Sequence, residues 1–150
     1  MIWEPTPLAK SAIRASLCIL TIVCGLGLRS FGLGVGLPAL VVKYGGSVLW
    51  GTMVFFLVTL AAPNLSRARV ALIAAAIAVA VELFRLVHAP WLDAFRLTLA
   101  GALLLGRIFS GWDLLAYGVG ILFAVGLDRL AIPSTTKQAP AAGNTPHSAS

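Results

Sequence analysis

The chain has 150 residues, 59% hydrophobic and 11% charged, with a mean hydropathy of +0.97. A soluble domain carries about 25% charged residues, so composition excludes an ordinary water-facing globule and makes the bilayer the expected solvent. The net charge is +6, but the bases stand singly between apolar segments, without a basic run or interleaved stacking aromatics, which argues against nucleic acid.

Residues 1–10 are read as a cytoplasmic N-terminal segment. Lys10 and Arg14 then precede an apolar stretch from Ser16 to Leu28. This resembles a signal peptide, but no A-x-A-like cleavage site follows and further apolar segments do, so an uncleaved first span is expected over Ser11 to Phe31. Its uncharged part between Arg14 and Arg29 covers about 21 Å against a hydrocarbon core of about 30 Å. Arg29 must therefore snorkel or turn into the protein. Cys18 and Cys24 sit about 120° apart on this helix and cannot pair with each other. They read as apolar thiols, and no metal-ligand spacing is present.

Gly32-Leu-Gly-Val-Gly-Leu-Pro38 breaks the helix. Its G-x-G-x-G spacing lacks a preceding strand and a following G-K-[ST], so a flexible or re-entrant loop is expected in place of a phosphate loop. After Lys43-Tyr44-Gly45-Gly46, a second segment runs from Ser47 to Ala62, with Tyr44 and Trp50 suited to an interfacial belt. A third runs from Ala68 to His88. Its small residues Ala74 and Ala78, and again Ala76 and Ala80, favour close helix packing. Ala89-Pro90 stops it. A short fourth segment, Phe95 to Phe109, turns at Ser110-Gly111 into a fifth, Trp112 to Arg129. That segment carries a second small-residue stripe at Ala116, Gly120 and Ala124. The resulting fold class is an all-α polytopic bundle of four to five transmembrane helices over residues 11–132. Residues 133–150, rich in Ser, Thr, Ala, Pro and Gly, read as a disordered tail. The small-residue faces would also allow a homo-oligomer.

With the N-terminus inside and five spans, Lys10, Arg14, Arg67, Arg69 and Arg107 fall on the cytoplasmic side. Arg29, Lys43, Arg85, Arg96 and Arg129 fall on the other. The first group reads as loop charge that sets topology.

Between Glu82 and Arg96 five ionisable side chains gather: Glu82, Arg85, His88, Asp93 and Arg96. Charges beside such apolar runs are costly unless paired or at a water boundary. Glu82 and Arg85, three residues apart, share a helix face, and Asp93 and Arg96 repeat the spacing. One reading is internal ion pairs that lock segment three to segment four. A second notes that Arg29, Lys43, Arg85 and Arg96 outnumber Glu82 and Asp93, a surplus suited to an anionic head group. A third is proton relay or transport through Glu82 and Asp113. An enzyme has the least support. No H-E-x-x-H or G-x-S-x-G occurs, His88 reads as an interfacial helix-end residue, and nothing calls for a cofactor.

Several motifs stand in a familiar order. They are Gly-Leu-Gly-Leu-Arg29, Pro38, Lys43-Tyr44-Gly45-Gly46, Leu49-Trp50, Glu82, Pro90-Trp91-Leu92-Asp93, Arg96-Leu-Thr98, Gly101, Leu105-Gly106, Phe109, Trp112-Asp113, Ala116-Tyr117 and Gly120. Over residues 14–128 this resembles the small bacterial membrane proteins of domain-of-unknown-function family 2809. The resemblance implies an all-α fold and a bacterial inner-membrane location, and it implies no reaction. It places Gln where this chain has Arg85 and Asp where it has Ser47. More distantly, the acid and Asp-x-x-Arg pattern is similar to VanZ-like proteins, which are associated with glycopeptide tolerance and envelope lipids.

The expectation carried forward is an inner-membrane protein that binds an anionic lipid or lipid-linked head group. Arg29, Lys43, Tyr44, Arg85 and Arg96 would contact the ligand; Glu82, Asp93, Asp113 and Tyr117 would be their structural partners. The alternatives are a non-catalytic scaffold with internal ion pairs and a small proton-coupled transporter.

Overall fold

The computed structural model describes residues 5–87, 89–98, 101 and 111–133. Five helices lie among them: α1 Pro7–Phe31, α2 Ala39–Ala61, α3 Arg67–Phe84, α4 Pro90–Arg96 and α5 Gly111–Ala131. The chain is an all-α membrane protein. Helices α1, α2 and α5 are each long and apolar enough to cross a bilayer. Helix α3, 18 residues long, runs about 27 Å beside them. Their outer faces remain apolar: Ile19 and Val23 on α1, Leu72 on α3, and Leu122 and Phe123 on α5 are exposed. Water would penalise such surfaces; lipid does not.

Local chemistry sets the helix ends. Thr6 accepts the Ala9 amide at 3.2 Å, with Pro7 in the first turn of α1. Ser66 caps α3. Ala89 is extended, as a residue before proline must be, and Pro90 opens α4.

Helix α2 is the hub, with contacts to α1, α3 and α5. Its closest approach is to α5. A Cβ on Gly120 would run into the Val48 carbonyl, and one on Gly51 into the Tyr117 carbonyl, so both glycines permit the crossing. There Thr52 Oγ1 donates to Gly120 O at 2.9 Å and to Val48 O at 3.0 Å. Ala116, Gly120 and Ala124 are all buried, so this stripe is used within the chain. On α3, Ala74 and Ala78 are buried, whereas Ala76 and Ala80 are exposed.

Three expectations need correction. Helix α2 begins at Ala39, eight residues before the predicted start, and Lys43-Tyr44-Gly45-Gly46 lies inside it. The glycine pair does not break the helix, because α1 packs so closely that a Cβ on Gly45 would stand 3.0 Å from Leu28. The glycine-rich stretch, expected as a flexible or re-entrant loop, is a hydrogen-bonded turn: Val35 N donates to Phe31 O at 3.0 Å and Leu37 N to Gly32 O at 3.0 Å. Gly36, at φ +85°, supplies the left-handed residue. Finally, α5 runs antiparallel to α3. Its Asp113 meets Arg85 and its Asp128 meets Arg67, which moves Arg129 to the Arg14 end. Most of the predicted fourth segment, the Ser110 turn, His88, Arg107 and the 134–150 tail lie outside the described residues.

Candidate functional site: two polar clusters and one cavity

The helices bring charged side chains together at both ends of the bundle. At the end where α1 and α3 finish and α2 and α5 begin, Arg85 is buried at 7% exposure. Its Nη1 lies 2.6 Å from Glu82 Oε2 and 3.1 Å from Asp113 Oδ2. Its Nη2 donates to the Tyr117 hydroxyl at 2.6 Å, and that hydroxyl donates to Glu82 Oε2 at 3.5 Å. Glu82 is 1% exposed. The Glu82–Arg85 pair therefore forms, as the three-residue spacing predicts. Through Asp113 and Tyr117 it ties α3 to α5.

One guanidinium is thus shared by two carboxylates. The arrangement leaves Asp113 Oδ1 without a hydrogen-bond partner, and the same is true of the buried Trp50 indole N–H. Both residues line one cavity of about 400 Å³. Its walls come from Thr21, Ile22, Gly25 and Arg29 of α1, from the face of α2 that runs from Ala39 through Lys43, Ser47 and Trp50 to Met53, and from Arg85, Asp113 and Tyr117. Trp50 and Tyr117 stack obliquely, with ring centroids 4.8 Å apart. Arg29 and Lys43 are exposed at the rim. Ser47 and Arg85, the two positions set apart from the pattern that the chain resembles, both line the cavity.

Of the predicted contacts, Arg29, Lys43 and Arg85 share this cavity. Tyr44 does not line it; its ring lies 5.2 Å from Lys43 Nζ. Asp93 is half-buried on α4 and is likewise absent from the lining. The Arg96 side chain lies outside the described residues. Asp113 and Tyr117 meet Arg85 directly. Trp50, expected in an interfacial belt, is instead 8% exposed inside the bundle.

The opposite end holds a cluster absent from the sequence expectations. Asp128 is fully buried. Its Oδ1 accepts from Arg14 Nε at 2.8 Å, and its Oδ2 accepts from Arg14 Nη2 at 3.2 Å and Arg67 Nε at 2.6 Å. Arg67 Nη2 also donates to the carbonyls of Asp128 and Ile132, which satisfies the end of α5. Arg14 and Arg67 are therefore ion-paired within the bundle. A signal was available: the stripe Ala116, Gly120, Ala124 continues at the same four-residue spacing to Asp128.

The fold and the cavity define a small helical membrane protein with a part-polar pocket at one end. The chain belongs to the family described as "Protein of unknown function (DUF2809)", whose model matches residues 36–121. That span holds Lys43, Glu82, Arg85, Asp113 and Tyr117 and stops before Asp128. No solved structure matches the chain.

Proposed function

We propose that the protein binds the phosphate-bearing head group of a membrane amphiphile in this cavity, in the cytoplasmic membrane of a bacterium. The observation that carries the reading is the cavity's composition. Ile22, Leu49 and Met53 give it apolar walls, and Arg29 and Lys43 bring cationic side chains to its rim. An amphiphile needs both. Arginine offers a fork of donors to phosphate and lysine a point charge. Arg85 has the narrower role of holding Asp113 and Tyr117 in the wall. A scaffold reading draws on a separate observation, the two ion-pair clusters that tie α5 to α3. Phe55, Phe56, Ala74 and Ala124 fill the bundle as a buried apolar core, which favours binding at one end over passage of a proton between the clusters.

Native mass spectrometry of gently extracted protein tests this. The wild type is expected to retain phospholipid. The joint change Arg29→Gln, Lys43→Gln is expected to lose it, with retention counted per folded molecule. A lipid-free wild-type spectrum overturns the reading.

A further inference from the structure

We propose that the bound head group is zwitterionic, with a protonated primary amine that donates to Asp113 and a phosphate that accepts from Trp50. This rests on the head-group site proposed above and names its chemistry.

The argument starts from two unsatisfied atoms. Asp113 is 4% exposed, and its Oδ2 takes Arg85 while its Oδ1 has no partner. Trp50 is 8% exposed, and its Nε1–H has no acceptor. Buried polar groups are nearly always hydrogen-bonded, so two orphaned atoms from residues lining one cavity call for an explanation. One atom is an acceptor and the other a donor. The missing group must therefore donate at one point and accept at another.

Charge narrows the choice. The second oxygen of Asp113 belongs to a buried carboxylate, and a charged donor satisfies such an oxygen better than a neutral one. The paired rings of Trp50 and Tyr117 provide an aromatic wall of a kind that accommodates cations. At the rim, Arg29 and Lys43 favour an anion. The cavity thus offers an acidic acceptor at Asp113 and a donor at Trp50, with basic side chains at its rim. A head group that joins an amine to a phosphate offers the complement of each. A glycerol head group donates without charge, a choline head group carries charge without an N–H, and neither satisfies Asp113 fully.

The test is native mass spectrometry of the full chain. It is offered equal amounts of phosphatidylethanolamine, phosphatidylglycerol and phosphatidylcholine with matched acyl chains. The wild type is expected to retain phosphatidylethanolamine about tenfold over either competitor, the ratio set by one charge-assisted hydrogen bond. Asp113→Asn is expected to abolish that preference while some lipid is still bound. Trp50→Phe removes the N–H together with the five-membered ring, so its retention is read per folded molecule, and it carries the test if Asp113→Asn fails to fold. It should lower the lipid retained per folded molecule. Equal retention of phosphatidylglycerol, or a preference that survives Asp113→Asn, overturns this proposal and leaves the head-group site standing. Failure to retain any of the three overturns both. Soluble glycerophosphoethanolamine should not displace the lipid at equal concentration; displacement would point to a free amino-phosphate and overturn the lipid assignment.

Discussion

The two ends of this bundle use the same parts in opposite proportion. At the Asp128 end, two arginines from α1 and α3 close on one carboxylate, and both of its oxygens are satisfied. At the Asp113 end, two carboxylates from α3 and α5 share one arginine, and one oxygen is left over beside a cavity. The first arrangement is complete in itself. The second completes its hydrogen bonding only with something else in the cavity. Buried charge in this protein is therefore not one phenomenon, and the unsatisfied oxygen of Asp113 separates a site from a clasp.

The strongest way to break this comparison is at the clasp. Asp128→Asn leaves Arg14 and Arg67, with side chains 13% and 20% exposed, facing a neutral amide. Removing one partner of a buried ion pair costs about 3–5 kcal/mol. Thermal unfolding in mild detergent should show a loss in that range, and lipid retention by the fraction still folded should be unaffected. A loss below about 1 kcal/mol would mean that the Asp128 end is a solvated surface pair and that the two ends do not differ as described.

How much of this was legible in the sequence depended on chain separation. Glu82 and Arg85 lie one helical turn apart, and helix geometry alone predicts their contact. The spans of α1 and α3 and the small-residue face of α5 are equally local and were readable from spacing. Asp128 lies 114 residues from Arg14 and 61 from Arg67, and no local pattern links them. Followed by Arg129 near the end of an apolar run, it reads as ordinary helix-end charge. Trp50 misled for a related reason. Aromatic belts are a statistical habit of membrane proteins, whereas its burial depends on Gly51 and Gly120 letting α2 and α5 close together beside it. The start of α2 was misplaced because Gly45-Gly46 is a breaker in isolation and a packing surface against Leu28.

A middle-sized effect sharpens the comparison at the site end. Arg85→Gln leaves Glu82 and Asp113 without the guanidinium that they share, yet the adjoining cavity lets them be solvated. The expected loss is about 2–3 kcal/mol, the range for hydrogen bonds to charged groups. The joint change Glu82→Gln, Arg85→Gln should recover part of it, since one of the two carboxylates is then neutral. Adding Asp113→Asn should recover more. A double-mutant cycle in detergent gives the coupling directly. Full recovery in the first double variant would show that Asp113 contributes nothing to the network, and would turn this end into a simple i,i+3 pair.

The smallest expected effect discriminates most finely. Lys43 is exposed at the cavity rim, and the contact identified for its ammonium is the Tyr44 ring at 5.2 Å. Exposed cation–π contacts and surface substitutions each amount to about 0.5 kcal/mol. Lys43→Gln should therefore leave the melting temperature nearly unchanged. If the rim charge serves a ligand, the same change must still reduce retained phospholipid, and reduce it less in high salt, where the rim charge is already screened in the wild type. A clasp residue behaves in the reverse way, with stability lost and retention per folded molecule kept. Should Lys43→Gln lower stability by more than about 1 kcal/mol, the rim would belong to the bundle's own framework, and the distinction between its two ends would narrow to the unpaired oxygen of Asp113.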